Sequence, residues 1–221
     1  KGIRALMEKQ KDSLAESKRH LSAKPTLVVA SSNQHKIREL QHIFGDYYTV
    51  VSMVAAGFNA PIEETATTFA GNAAIKAETV SAATGLPTLA DDSGLSVEVL
   101  DCDPGVYSAR FGGEGLDDTG RYRLLLQMLH GQADRRAHFH TTITCAFPNG
   151  DVLQDDGEVE GTIAFAPMGE NGFGYDPVFF VPDKRKTFAQ LSAEEKAEIS
   201  HRGKALRAFK ETLKNYLAEH Q

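Results

Sequence analysis

The chain reads as an α/β protein, and three stretches carry that reading. Leu27, Val28, Val29 and Ala30 make a short apolar run, then a polar turn, then Ile37, Leu40, Ile43 and Phe44 at helical spacing. Strand, turn and helix in that order open an α/β unit. A second apolar run over residues 86–90 stops at Asp91, Asp92, Ser93 and Gly94. Between residues 137 and 147, Phe139, Thr141, Ile143, Cys145 and Phe147 alternate with His138, His140, Thr142 and Thr144. That alternation predicts a long half-buried strand.

The remaining elements follow by the same rules. Residues 1–23 are polar, with Ile3, Leu6, Met7 and Leu14 at helix-like spacing, and Pro25 ends the pattern. Phe69, Ala73, Ala77 and Val80 predict a helix that Gly85 closes. Leu95, Val97 and Val99 alternate with Ser96 and Glu98, so a further strand is expected after the Asp-Asp-Ser-Gly turn. A glycine-rich loop at residues 112–115 leads to a helix over residues 121–129. Residues 152–162 are the expected partner of the long strand, and residues 178–181 a short strand. Ser192 and Glu195 form a capping box. Gly203 is expected to separate that helix from a last one with Leu206, Phe209, Leu213, Tyr216 and Leu217 on its core face. The division is an N-terminal helical extension, residues 1–24, and one folded unit, residues 25–221.

Composition narrows the function. The chain has 221 residues, 41% hydrophobic and 24% charged, enough for one large domain with a sizeable core. No apolar run approaches the ~20 residues of a membrane span. The charged N-terminus lacks the apolar segment of a secretory signal. Cys102 and Cys145 are too few for a disulfide framework. A cytoplasmic protein is expected, with no membrane partner. A net charge of -6 argues against a long nucleic acid, whose binding draws on a basic surface. A small phosphorylated ligand needs only a local group of cations.

Several short constellations could supply them. The turn Ser31, Ser32, Asn33, Gln34, His35 and Lys36 leads into a helix N-terminus, where amides, hydroxyls and a lysine suit phosphate oxygens. It is equally readable as a helix cap with a solvated lysine. Asp91 and Asp92 are adjacent carboxylates that repel unless a cation or donors offset them. Mg²⁺ suits such oxygen ligands, while a plain Asp-Gly turn is the alternative; on a strand the two side chains would point to opposite faces. Glu63 and Glu64 precede a helix, where the dipole alone favours acids. A metal role for either requires the fold to bring it to Asp92. Asn72 and Lys76 share a helix face. They are solvated unless phosphate lies there. Residues 169–174 read Gly-x-x-Gly-x-Gly ahead of a strand. That is not the dinucleotide order, so the loop presents Phe173 either to a base or to the core. Lys196, His201 and Arg202 form a cationic face near the capped helix. His138 and His140 lack a third ligand for zinc, and the two cysteines read as plain thiols.

Taken in order, these segments resemble the inosine triphosphate pyrophosphatase family, the non-standard purine nucleoside-triphosphate pyrophosphatases. The resemblance runs from Leu27 to Leu217. It rests on residues 31–36, Glu63-Glu64-Thr65 with Phe69, Asn72, Ala73 and Lys76, and Ala90-Asp91-Asp92-Ser93-Gly94-Leu95. It continues through residues 104–110, Gly172-Phe173-Gly174-Tyr175-Asp176-Pro177 and Ser200-His201-Arg202. It implies a long twisted mixed sheet flanked by helices, two lobes around a nucleotide cleft, and a homodimer. It also implies Mg²⁺-dependent hydrolysis of ITP, dITP and XTP to the monophosphate and pyrophosphate. By the same resemblance, Ser31, Ser32, Asn33, Gln34, His35 and Lys36 hold the triphosphate, with Lys36 and Lys76 as its cations. Asp92 is the general base and, with Glu64, holds Mg²⁺; Ser93 contacts substrate. Phe173, Gly174, Tyr175 and Asp176 frame base and sugar, and Lys196, His201 and Arg202 read the purine edge. Asp91 is expected to orient Asp92.

The chain departs from the family at Ser31, where many members carry Thr, and in its N-terminal helix. Gly2-Ile3, Leu6, Gln10-Lys11 and Leu14 resemble the C-terminal helix of ribonuclease PH, which implies a piece of a longer fusion; a short appended helix is the alternative. Rival functional readings are a nucleotide pyrophosphatase of another family or a phosphatase that releases phosphate, a non-catalytic nucleotide-binding module, and an RNA-processing accessory, which the N-terminal helix alone suggests and the acidic balance argues against.

Overall fold

The computed structural model describes residues 24–220, so the helix expected over residues 1–23 lies outside the described residues. Seven strands form one mixed sheet in the order β2-β1-β3-β4-β5-β6-β7. They are β1 (Thr26–Val29), β2 (Thr49–Ser52), β3 (Thr88–Val97), β4 (Arg136–Ala146), β5 (Val152–Ile163), β6 (Phe179–Val181) and β7 (Lys186–Thr187). β1 runs parallel to both β2 and β3, and every later pairing is antiparallel. Five α-helices flank the sheet: α1 (Gln34–Phe44), α2 (Phe69–Thr84), α3 (Asp118–Met128), α4 (Ala193–Ile199) and α5 (His201–Glu219).

Alternation along the strands sorts the core into layers. Leu27, Val29, Leu89, Ile143 and Cys145 face α1 and α5, where they meet Leu40, Phe44, Leu206, Phe209 and Leu213. Val28, Ala90 and Ala146 face the other way, against Ala77 and Val80 of α2. Small residues on both sides let that helix lie close to the sheet. A third cluster joins Leu95, Val97, Phe139, Val159 and Phe179 to Leu125 of α3 and to Phe188. The expected inward face of β4 is thus observed, but the strand is not half-buried along its length: Thr142 and Thr144 on the other face are fully buried too, because α2 covers them; Tyr216 of α5 packs on Phe147.

Helix ends follow the expected chemistry, with one shift. Thr68 caps α2, accepting from Gly71 N at 3.0 Å, and Gly85 closes it in the left-handed conformation, φ 67°. The capping box at Ser192 and Glu195 is present. The break before the last helix falls at Ser200, not at Gly203. Ser200 is extended; its N–H donates to Lys196 O at 2.8 Å and its hydroxyl accepts from Gly203 N at 3.1 Å. One residue therefore ends α4 and begins α5. Gly203 sits inside α5 because a Cβ there would collide with Ala197 O.

The larger correction concerns β3. The sequence suggests a strand that stops at Asp91 and a second one after Gly94; the structure has a single ten-residue strand. Pairing with β4 carries it through, from Thr88↔Ala146 to Val97↔Ala137. On its other edge β3 pairs with β1 only at Thr88 and Leu89. Further along, Leu95 N donates to Ser108 Oγ at 2.8 Å and Val97 N to Asp103 O at 3.1 Å. The 3₁₀ segment Gly105–Arg110 thus takes over as the covering element. Between these two coverings Asp92 and Ser93 open onto a cleft.

Backbone contacts fix the surrounding helices. Gly157 of β5 lies under the start of α5, where a Cβ would collide with His201 O and Ala205 N. Gly157→Ala is expected to lower stability by about 1–3 kcal/mol through overpacking, read as a lower urea midpoint at unchanged m-value.

Candidate active site

The cleft has a volume of about 580 Å³ and is lined from β3, α1, α2, the 105–110 segment, α3, residues 173–176, α4 and α5. Lys36, Glu64, Lys76, Asp92, Ser93, Phe173, Gly174, Tyr175, Asp176, Lys196, His201 and Arg202 all line it. Twelve residues expected from scattered motifs therefore converge on one wall-to-wall site. Ser31, Ser32, Asn33 and Gln34 form the turn before and at the start of α1 and do not line the cleft. His35 has no described side chain.

Strand alternation gives the two aspartates different surroundings. Asp92 faces α2, where Lys76 Nζ lies 3.2 Å from Asp92 Oδ1 and 3.1 Å from Glu64 Oε1. Lys76, whose side chain is largely buried, is thus the shared counter-ion of two carboxylates, and Glu64 is brought to Asp92 as its metal role requires. Burial, then repulsion from Glu64, raises the Asp92 carboxyl above its ordinary value despite Lys76. Burial would lower Lys76, yet Asp92 and Glu64 together raise it. Asn72 is fully buried, accepting from Ala66 N at 3.0 Å; it is not the solvated residue its helix position suggests.

Asp91 faces the opposite layer. Its Oδ2 accepts from Lys36 Nζ at 2.9 Å and from Arg202 Nη2 at 2.7 Å, and its Oδ1 accepts from Lys36 at 3.0 Å. It makes no contact that would orient Asp92, so that expectation is replaced. Burial alone would raise the Asp91 carboxyl, but Lys36 and Arg202 overturn this and hold it well below the carboxylate range. Lys36 is lowered, by burial first and then by Arg202 and Lys76.

The far wall is built on Asp176. It is buried, and its Oδ2 accepts from Phe173 N at 2.8 Å and from Lys196 Nζ. Burial raises its carboxyl against the pull of Lys196. The Lys196 ammonium lies 4.7 Å from the Phe173 ring centroid. Phe173 itself is 63% exposed, so its ring is presented to the solvent side and not to the core. Gly174 N donates to Asp118 Oδ2, and Tyr175 hydroxyl donates to Ser108 O at 2.9 Å. Those two bonds tie the loop to α3 and to the 105–110 segment. His201 stacks on Phe139 with centroids 4.7 Å apart. Burial, then Arg202 and Lys196, lower it well below 6.5, which keeps it neutral at neutral pH.

The sequence reading missed Arg110, Asp118 and Arg121, which also line the cleft. Asp118 and Arg121 stand in the first turn of α3, where charged residues are ordinary, so no local signal sets them apart. His138 and His140 occupy the half-buried strand face as expected. Among the described residues no group of three or more His, Cys, Asp or Glu is arranged to hold a metal. Two carboxylates do fit one. Asp92 Oδ2 is buried and accepts no hydrogen bond, and Glu64 shares a cation with the other Asp92 oxygen. Buried acceptors of this kind normally have a partner, and Mg²⁺ is commonly held by one or two carboxylates together with substrate phosphates.

A mixed sheet whose interior strand β3 offers buried acid–base pairs to a cleft lined by cations and carboxylates suits an α/β enzyme for a phosphorylated small molecule. The comparisons narrow this. A sequence profile of the Ham1 family matches residues 27–212, and the chain belongs to that family. A dITP/XTP pyrophosphatase of Thermus thermophilus is 47% identical over 191 residues, covering 86% of this chain and 92% of the relative. One from Exiguobacterium is 47% identical over 182 residues, covering 82% and 93%. The solved Ham1 protein of Staphylococcus aureus superposes with a TM-score of 0.83 at 42% identity, covering 86% of this chain and 99% of that one. No helix among the described residues is long and apolar enough to cross a membrane.

The state of His201 gives a pH test. Its folded value lies below its unfolded value, so the unfolded chain takes up the proton first. The stability it contributes is complete above about pH 6.5 and is lost as pH falls from there toward the lowered folded value. In chemical denaturation across pH 7 to 5, His201→Gln should show a shallower loss of stability than the wild type.

Proposed function

We propose that this protein hydrolyses non-standard purine nucleoside triphosphates, ITP, dITP and XTP, at the α–β phosphoanhydride, releasing the monophosphate and pyrophosphate. This removes them before they enter DNA or RNA. The observation that carries the reading is the pairing within one cleft of an acid cluster on Lys76 with a base-sized wall of Phe173, Lys196, His201 and Arg202. The pyrophosphatase relatives, alike over most of the chain, support it.

In this reading Lys36 and Lys76, which line the cleft, attract the triphosphate. Both lysines are already paired with carboxylates, so the substrate competes for cations that are held in place. Asp92, raised by burial, is suited to accept a proton from the attacking water. Glu64 and Asp92 would hold Mg²⁺, which supplies neutralisation of the phosphate oxygens when bound. Phe173 offers a face for the purine ring, and Asp176 fixes that loop through the Phe173 amide. A 6-keto oxygen accepts from Arg202, whereas the 6-amino group of adenine presents donors to a donor. Sites built around such a hydrogen bond reject the mismatch strongly. The reading includes a homodimer working in the cytoplasm.

Phosphorus NMR of reactions with ITP, XTP, ATP and GTP, with and without Mg²⁺, tests it. ITP and XTP should yield monophosphate and pyrophosphate only when Mg²⁺ is present. Asp92→Asn should lose about 10²–10⁴-fold in rate. Release of single phosphate would replace the reaction assigned, and binding without turnover would make the protein a nucleotide-binding module.

A further inference from the structure

Asp91 has no part in the chemistry just described, yet two cations of the site bond it. Its side chain is 9% exposed. It does not line the cleft, whereas Lys36 and Arg202, both bonded to it, do. One oxygen, Oδ2, accepts from both cations, and Lys36 also reaches Oδ1. The two cations come from different elements, Lys36 from α1 and Arg202 from the first turn of α5. Without a shared anion, two buried like charges this close would repel each other apart.

Neither cation is used up by this contact. Arginine has five N–H donors and lysine three. A single Arg202 nitrogen bonds Asp91, so the guanidinium keeps donors for the cleft. The remaining freedom of Arg202 is small, because its side chain is only 15% exposed. Arg202 is therefore aimed from below by Asp91, at an angle set by a strand of the central sheet. The same carboxylate sets Lys36, assigned above to the triphosphate.

We propose that Asp91 is a positioning residue for selectivity: it fixes Lys36 and Arg202 as one preformed pair, so the base is read at a set distance from the phosphates. This rests on the reading of Arg202 as the group that meets the 6-keto oxygen. A donor held in place discriminates because it cannot swing away from a mismatched amine. A displacement of about 1 Å at such a group can cost about 100-fold in rate.

The test is the ratio of kcat/KM for ITP to that for ATP, measured on the full chain. In Asp91→Asn the ratio should fall about 10- to 100-fold, with kcat/KM for ITP carrying most of the loss. A purely structural role would reduce the amount of active protein and lower both substrates equally, leaving the ratio unchanged. An unchanged ratio therefore overturns the proposal. Should Asp91→Asn fail to fold, Asp91→Glu keeps the charge but moves the carboxylate by one methylene. It should also lower the ratio, and a wild-type ratio in that variant overturns the proposal equally. In an Arg202→Gln background, Asp91→Asn should lower the ratio no further, because the group it aims is gone; a further full loss contradicts the assignment. A wild type that does not prefer ITP to ATP overturns the underlying reading together with the proposal, whereas a selective wild type with an unchanged variant overturns the proposal alone.

Discussion

The site depends on the two-residue period of a β-strand. Asp91 and Asp92 are neighbours in the chain, and the pleat sends one carboxylate to each face of the sheet. Placed on one face, two adjacent buried anions would compete for the same cations. Placed on two, each collects its own set: Lys76 beside Glu64 on the α2 side, Lys36 and Arg202 on the α1 and α5 side. The strand thereby links, through their cations, helices that lie on opposite faces of the sheet.

Charge balance follows from that division. An unpaired charge taken out of water costs several kcal/mol, and the cleft avoids this by pairing each buried cation with a carboxylate. The balance differs between the two faces. Two carboxylates share Lys76 on one, leaving a surplus of negative charge and an acceptor, Asp92 Oδ2, without a donor. Two cations share Asp91 on the other, and Glu39 of α1 also acts on Arg202. A divalent cation suits the first face, and the unused donors of Lys36 and Arg202 suit an anionic or carbonyl-bearing ligand on the second. The polarity of the site is thus built into the sheet before any ligand arrives.

Much of this architecture was legible in the sequence because the relevant patterns are periodic and long. The apolar stripe of α2 with Gly85 behind it, and the alternation of β4, depend on many residues agreeing. β7, at two residues, is too short to show a period, and β2, no shorter than β1, was passed over. The course of β3 was misread for a more instructive reason. Asp, Asp, Ser and Gly are poor strand formers, and the tertiary pairing with β4 overrides their preference. Sites of chemistry are where such local conflict is expected. The break at Ser200 was assigned to Gly203 because glycine is the commoner stop signal, whereas here a hydroxyl caps two helices at once. Twelve of the motif residues line one cleft, while Ser31, Ser32, Asn33 and Gln34 do not. Which carboxylate meets which cation was not legible, since it depends on layer and register. Asp118 and Arg121 carried no signal because their helix positions suit solvated charges equally well.

The close approach at Gly157 has a consequence for how the protein recognises its ligand. There the backbone of β5 meets the backbone of α5 at the turn that carries His201 and Arg202. No side-chain rotamer lies between them to stretch or compress. The span from β5 to the helix that carries His201 and Arg202 is accordingly a fixed gauge, calibrated by two main chains in contact. Warming a protein loosens side chains long before it separates packed backbones. The placing of His201 and Arg202 over the sheet should therefore persist with rising temperature up to the point where the sheet itself gives way.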